Sequence, residues 1–282
     1  MPRFDTNEPI SASIEIGTGH IRIVASERTD TVVDVRPADS GNESDVSAAE
    51  QTRVEYSGGR LTVKTSKDSG RRSWWWLWGG SVEVTVELPS GSGVEVQADA
   101  EVRCRGRLGD CRFTTSMGDV DVDEAGRVQI HTGDGDVLVT RAGGPAEITT
   151  ANGDIRVREI DGAALVKTSN GNITLGQVSG DVRMNTAYGD IQVERALSGV
   201  IAKTAAGDVR LGQIVRGSTV IDTAYGELEV GVRKGTAAWL NVSSQYGDVR
   251  VQLDAHDGPA EAEDMVEVHA TTGYGDILVR RA

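Results

Sequence analysis

From residue 118 onward the apolar and polar positions follow a block that keeps restarting. Each block opens on Gly, then a short acidic or amide residue, then an apolar residue, any residue, and a second apolar residue. The opening glycines are Gly118, Gly135, Gly153, Gly171, Gly189, Gly207, Gly226, Gly247 and Gly275, at spacings of 17, 18, 18, 18, 18, 19, 21 and 28. The first apolar column holds Val120, Val137, Ile155, Ile173, Ile191, Val209, Leu228, Val249 and Ile277. The second holds Val122, Val139, Val157, Leu175, Val193, Leu211, Val230, Val251 and Val279. All eighteen positions are apolar in a chain that is 38% hydrophobic, so the columns are not chance. Branched residues at alternate positions predict a strand with one buried face, and a helical period fails throughout.

A second strand follows in each block, as in Gly162-Ala-Ala-Leu-Val-Lys-Thr and Gly180-Asp-Val-Arg-Met-Asn-Thr. Three residues before each glycine stands a hydroxyl: Thr115, Thr132, Thr150, Thr168, Thr186, Thr204, Thr223, Ser244 and Thr272. A fixed hydroxyl predicts a turn whose backbone groups are bonded by the same side chain each time. Eighteen residues cannot bury a core alone, but stacked units share one. The prediction is an all-β fold, a parallel β-solenoid with about 18 residues per rung, strands of successive rungs pairing at about 4.8 Å. The glycine column supplies the unusual backbone of a corner.

Residues 100–117 extend the register upstream, with Val102 and Cys104 in the apolar columns and Cys111 and Phe113 in the second strand. Both cysteines are therefore expected as buried thiols. Before residue 100 the alternation loosens, so residues 1–99 are read as an irregular β cap and 100–282 as the regular solenoid, in one continuous domain. Turns are expected at Gly17-Thr-Gly19 and Ser57-Gly-Gly59, and residues 37–50 as a polar exposed loop.

The Gly-Asp-Val/Ile repeats preceded by Thr, with Val82-Glu-Val-Thr-Val-Glu-Leu-Pro89 leading into them, resemble the bacterial putative-adhesin family of β-strand-repeat proteins of unknown function. The resemblance spans about residues 10–282. It implies a β-helix-like solenoid and no established catalytic residues.

Charge changes the list of partners. With 29 basic and 43 acidic residues the formal net charge is −14, which disfavours a nucleic-acid partner. The beginning of the chain has no apolar run of signal-peptide length, so a cytoplasmic protein is the expectation. The acidic column Asp119, Asp136, Asp154, Asp190, Asp208, Glu227, Asp248 and Asp276, with Asn172 as its neutral member, is read as side chains bonding their own turns. A calcium β-roll is the alternative, but its Gly-Gly-x-Gly-x-Asp nonapeptide is missing.

Catalysis finds little footing. His20, His131, His256 and His269 fall in no common column, and no nucleophile elbow, phosphate loop or zinc-binding helix motif is present. The chain is therefore read as a non-enzymatic binding or assembly scaffold with no cofactor, no metal and no small-molecule substrate. A carbohydrate-active β-helix enzyme is the remote alternative. Three features are candidate contacts. Arg71, Arg72, Trp74, Trp75, Trp76 and Trp78 lie in the loop 66–81, either plugging the solenoid or meeting a protein or membrane surface. Tyr188, Tyr225, Tyr246 and Tyr274 each precede a signature glycine, with Ala206 interrupting, and form either a structural ladder or a sugar- or peptide-binding strip. The last strand, with Ile277, Val279, Arg280 and Arg281, is expected to leave an unpaired edge for self-association, unless its arginines guard against that.

Overall fold

The computed structural model describes residues 1–65, 80–253 and 264–282. The chain divides into two compact units, Met1–Leu138 and Val139–Ala282. The first contains β1 (Arg3–Asp5), β2 (Ser11–Ser26), β3 (Asp30–Pro37), α1 (Glu43–Gln51), β4 (Thr52–Ser57), β5 (Arg60–Thr65), β6 (Ser81–Pro89), β7 (Gly93–Arg107), β8 (Cys111–Met117), β9 (Val120–Ala125) and β10 (Val128–Asp134), and the boundary falls within β11 (Val137–Ala142). The second contains β12 (Ala146–Thr149), β13 (Ile155–Ile160), β14 (Ala164–Lys167), β15 (Ile173–Val178), β16 (Val182–Asn185), β17 (Ile191–Ala196), β18 (Val200–Ala206), β19 (Val209–Ile214), β20 (Gly217–Tyr225), β21 (Leu228–Val232), β22 (Thr236–Tyr246), β23 (Val249–Gln252), β24 (Asp264–Tyr274) and β25 (Ile277–Arg281).

In the first unit β2 and β7 are long strands that each make a whole rung. They pair in parallel along both halves, with a register shift between Glu15 and Thr18. The turn expected at Gly17-Thr-Gly19 is therefore a corner taken without leaving the sheet. β7 pairs in turn with β8 through residues 94–98 and with β9 through residues 102–107. On the other side of β2 lie β5 and β6, also parallel to it. These are covered by antiparallel partners, β4 on β5 and β3 on β6, with β1 antiparallel to β3. Antiparallel closure ends the parallel stack at this side. The turn at Ser57-Gly-Gly59 forms as expected, with Gly58 at φ 57° and Gly59 at φ 78°.

Residues 37–50, expected as a loop, instead contain α1. Asn42 caps it by accepting the N–H of Ser44, and Glu43 and Asp45 place negative charge at its positive end. Asp45 is buried, accepting from the backbone N–H of Ser81 at 2.8 Å and of Asp39 at 3.1 Å. The helix lacks an apolar stripe and is held by this carboxylate, a tertiary contact.

In the second unit each rung is a pair of strands, and from β13 to β19 the register does not shift: Ile155, Ile173, Ile191 and Val209 align, as do Val157, Leu175, Val193 and Leu211. These side chains are fully or almost fully buried. The glycine column has a steric cause. A Cβ on Gly189, which sits at φ 144°, would stand 2.1 Å from the carbonyl oxygen of Gly171 one rung away. That same carbonyl accepts the hydroxyl of Thr186 at 3.1 Å. Thr168, Thr204 and Thr272 repeat the bond to Gly153, Gly189 and Gly226. The hydroxyl column thus reaches between rungs, and Thr115 and Thr150 also donate within their own turns, to the carbonyls of Met117 and Asn152.

The last two rungs do not stack in chain order. β24 pairs with β20 on one side and β22 on the other, and β25 lies likewise between β21 and β23. The chain lays down β22–β23 one rung too far and then returns to fill the space.

Candidate functional site

This insertion corrects the expected assembly edge. Ile277 and Val279 are fully buried, with paired strands on both sides of β25. Arg280 binds Glu229 through Nε and Nη2, each 2.8 Å from Oε1, and Arg281 Nη1 donates to the carbonyls of Thr236 and Arg233 at 2.8 and 3.1 Å. Both arginines fasten the inserted strand rather than face a partner. Arg210 joins at 2.7 Å, so two guanidiniums hold the Glu229 carboxyl below its ordinary range, Arg280 contributing most.

The open edge belongs to β22 and β23. Each has one paired neighbour, and among the described residues no strand pairs with its other side. Val249 and Val251 occupy the two apolar columns, yet they are 42% and 47% exposed where Ile277 and Val279 are fully covered. Trp239, on the outward face of β22, is 54% exposed and tilts against His269 at 5.3 Å between ring centroids. Sequence reading did not single out Val249 or Val251, because their columns are the same as those of buried rungs, and Trp239 lies in no repeated column. The one sequence signal was the spacing of 28 residues between Gly247 and Gly275.

The tyrosine column forms, in an order that follows the rungs. Tyr274 lies between Tyr225 and Tyr246, with ring centroids 5.1 and 4.7 Å apart and planes within 5° and 10° of parallel. Tyr188 stands apart, across Ala206 from Tyr225. All four rings are exposed. Alongside the column runs a shallow cavity of about 560 Å³ whose lining includes Lys203, Asp222, Ser243, Gln245 and Thr271.

The acidic column is bonded, though not to its own turns. The Oδ1 of Asp154 accepts the backbone N–H of Asn172, Asn172 that of Asp190, and Asp190 that of Asp208, each at 2.8 Å. The partner is the same position of the next rung. Among the described residues no group of three or more His, Cys, Asp or Glu side chains is placed to hold a metal ion. Cys104 and Cys111 are buried free thiols, as expected. Arg71, Arg72, Trp74, Trp75, Trp76 and Trp78 lie outside the described residues.

Residues 11–281, nearly the whole chain, match the Toastrack DUF4097 family. The chain belongs to that family. The resemblance to adhesin-like β-repeat proteins of unknown function is thereby placed, and the Toastrack fold is the parallel solenoid described above. No curated protein matches the chain. Among solved structures it is similar to a "putative adhesin" from Bacteroides fragilis, at 12% identity and a TM-score of 0.36, over 99% of this chain and 95% of that one. It is also similar to a "putative cell adhesion protein" from Clostridium sporogenes, at 11% identity and a TM-score of 0.17, over 100% of this chain and 98% of that one. The cytoplasmic expectation is corrected at this point. It rested on a missing apolar leader, an absence that places nothing, and the two solved chains are described as a "putative adhesin" and a "putative cell adhesion protein". No helix among the described residues is long and apolar enough to cross a membrane. What each unit of this Toastrack chain presents is a mostly β repeat surface.

Proposed function

We propose that the protein is a non-enzymatic binding module that self-associates through the open edge of β22–β23. The observation that carries this reading is the half-exposure of Val249 and Val251 in columns that are buried in every other described rung of the second unit. An unpaired strand edge offers its own N–H and C=O groups to another strand. Removing the exposed half of each valine from water adds roughly 1 kcal/mol per side chain.

A second copy suits this edge by charge. With β23 antiparallel to its counterpart and Val249 facing Val249, Asp248 of each copy stands opposite Arg250 of the other. Both side chains are mostly exposed, and within one chain they lie 3.2 Å apart, so the pairing exchanges one partner for another.

The test is light scattering coupled to size-exclusion chromatography on the full chain over about a hundredfold concentration range. A mass that rises with concentration, and that returns to 29.9 kDa when Val249→Lys and Val251→Lys are combined, supports the reading. A single species of that mass at every concentration sinks it.

A further inference from the structure

Parallel pairing stops differently in the two units, and the difference limits what the open edge can meet. In the first unit β4 on β5 and β3 on β6 end it with antiparallel strands. Helix α1 packs against β3 and β6 and touches β4 and β5. The apolar layer there is shut, with Val33, Leu61, Val63, Val84 and Val86 at most 1% exposed. Between Met1 and Met117 no large apolar side chain of the described residues is exposed. In the second unit the last rung leaves Val249 and Val251 half uncovered, and β22 runs beside them for 11 residues without a charge.

Backbone direction fixes which residues of β23 can bond a further strand. Along any strand, successive residues turn their N–H and C=O groups to opposite neighbours. The N–H of Ile191 donates to the carbonyl of Asp208, and that of Ile277 to the carbonyl of Asp248, each at 2.9 Å. The first apolar column thus faces the following rung. Val249 holds that column in the last rung, so its N–H and C=O, and those of Val251, face the open side. The backbone of Asp248 and Arg250 is turned to β25.

Antiparallel pairing of β23 with a second β23 joins the open-side residues to one another and keeps the valines of both copies on the core side. Charge chooses among the registers that do this. Val249 opposite Val251 sets Arg250 against Arg250, a repulsive pair. Val251 opposite Val251 sets Arg250 against Gln252, which carries no charge. Val249 opposite Val249 sets the Asp248 of each copy against the Arg250 of the other, in the non-hydrogen-bonded positions where side chains come closest.

We propose that the edge takes one second copy about a two-fold axis at Val249, edge to like edge, and that association stops at two. The proposal rests on the self-association argued above and adds its symmetry and its limit. A two-fold contact uses the same patch on both copies, so each edge is consumed by the other and none is left for a third copy. A growing filament would need this edge to pair with the closing side of another copy's first unit. That side has no exposed apolar column to cover, so the contact lacks its main driving force.

Two measurements on the full chain test this. Light scattering of the wild type should level off at twice 29.9 kDa as concentration rises. Asp248→Cys and Arg250→Cys, both at well exposed side chains, are prepared separately, oxidised alone and as an equal mixture, and run on non-reducing gels. The native thiols are buried and do not compete. Covalent dimer should form about tenfold faster in the mixture than in either variant alone, because each introduced sulfur faces the other variant within disulfide reach and not its own kind. A mass that continues past twice 29.9 kDa would overturn the limit of two while leaving self-association standing. Rapid dimer from Arg250→Cys alone, or equal rates in all three samples, would overturn the two-fold register. A single species of 29.9 kDa at every concentration would sink the edge reading itself, and this proposal with it.

Discussion

The Asp208 carboxylate accepts the backbone N–H of Glu227 at 2.7 Å, from one rung to the next. The same bond recurs at Asp119 to Asp136 in the first unit and at Asp276 to Asp248 across the inserted rung. It explains both the residue type and the tolerance of the column. The side-chain oxygen has to reach one strand spacing, which Asp and Asn do with a single methylene, and the charge itself is not needed.

Asp208→Asn should therefore leave stability unchanged or slightly raised, since one of a row of like charges about 4.8 Å apart is removed and the acceptor is kept. Asp208→Ala removes the acceptor and should cost about 1 kcal/mol. Urea unfolding followed by circular dichroism separates the two. Equal losses in both variants would mean that the charge, and not the acceptor, is what the column supplies.

The architecture was legible because the columns repeat: a buried face at period two and a corner that rejects a Cβ leave their trace in every block. What the repeat cannot carry is order. Val249 and Ile277 sit in equivalent positions of equivalent blocks, so the sequence offers no preference for which rung is terminal. Only the long spacing before Gly275 hints that the chain doubles back. Partner identity was lost for the same reason, since a bond from Asp208 to its own turn and one to the next rung leave an identical signature. Helix α1 was missed on different grounds. Glu43 to Gln51 has no apolar stripe to detect, and its anchor, Asp45 on the amides of Ser81 and Asp39, joins segments distant in sequence.

Glu229 should make the fastening of β25 sensitive to acid. Its carboxyl is held below its ordinary value of 4.5 by Arg280 first and Arg210 second. A depressed carboxyl contributes stability above its unfolded value and loses it as pH falls through the folded one. Glu229→Gln should thus lower stability at pH 7 by roughly 1 to 2 kcal/mol, with less loss relative to wild type below about pH 4. Thermal unfolding of both proteins between pH 3 and pH 7 reads this directly. Parallel curves for wild type and variant over that range would show that the cluster does not stabilise the fold through its charge.

Cys104 and Cys111 test the solidity of the first unit's core from the alkaline side. Burial drives both thiols upward, Cys111 to about 12 and Cys104 well above its ordinary 9.0, with the neighbouring Cys111 as a second cause for Cys104. Because the thiolate is the reactive form, native protein at pH 8 should leave both thiols untouched by a disulfide reagent over many minutes. Unfolding in guanidinium should release two equivalents at once. The linkage runs opposite to that of Glu229. An acid whose folded value is raised keeps its full contribution below the unfolded value, and the contribution falls once pH passes about 9, where only the unfolded chain ionises. Cys111→Val should therefore lessen the loss of stability between pH 9 and pH 11, at little cost near neutrality, since the column already accepts Val94 and Val128 on either side. Rapid labelling of either thiol in the native protein would mean that this rung opens on the timescale of the reaction, and that its core is not the closed one described.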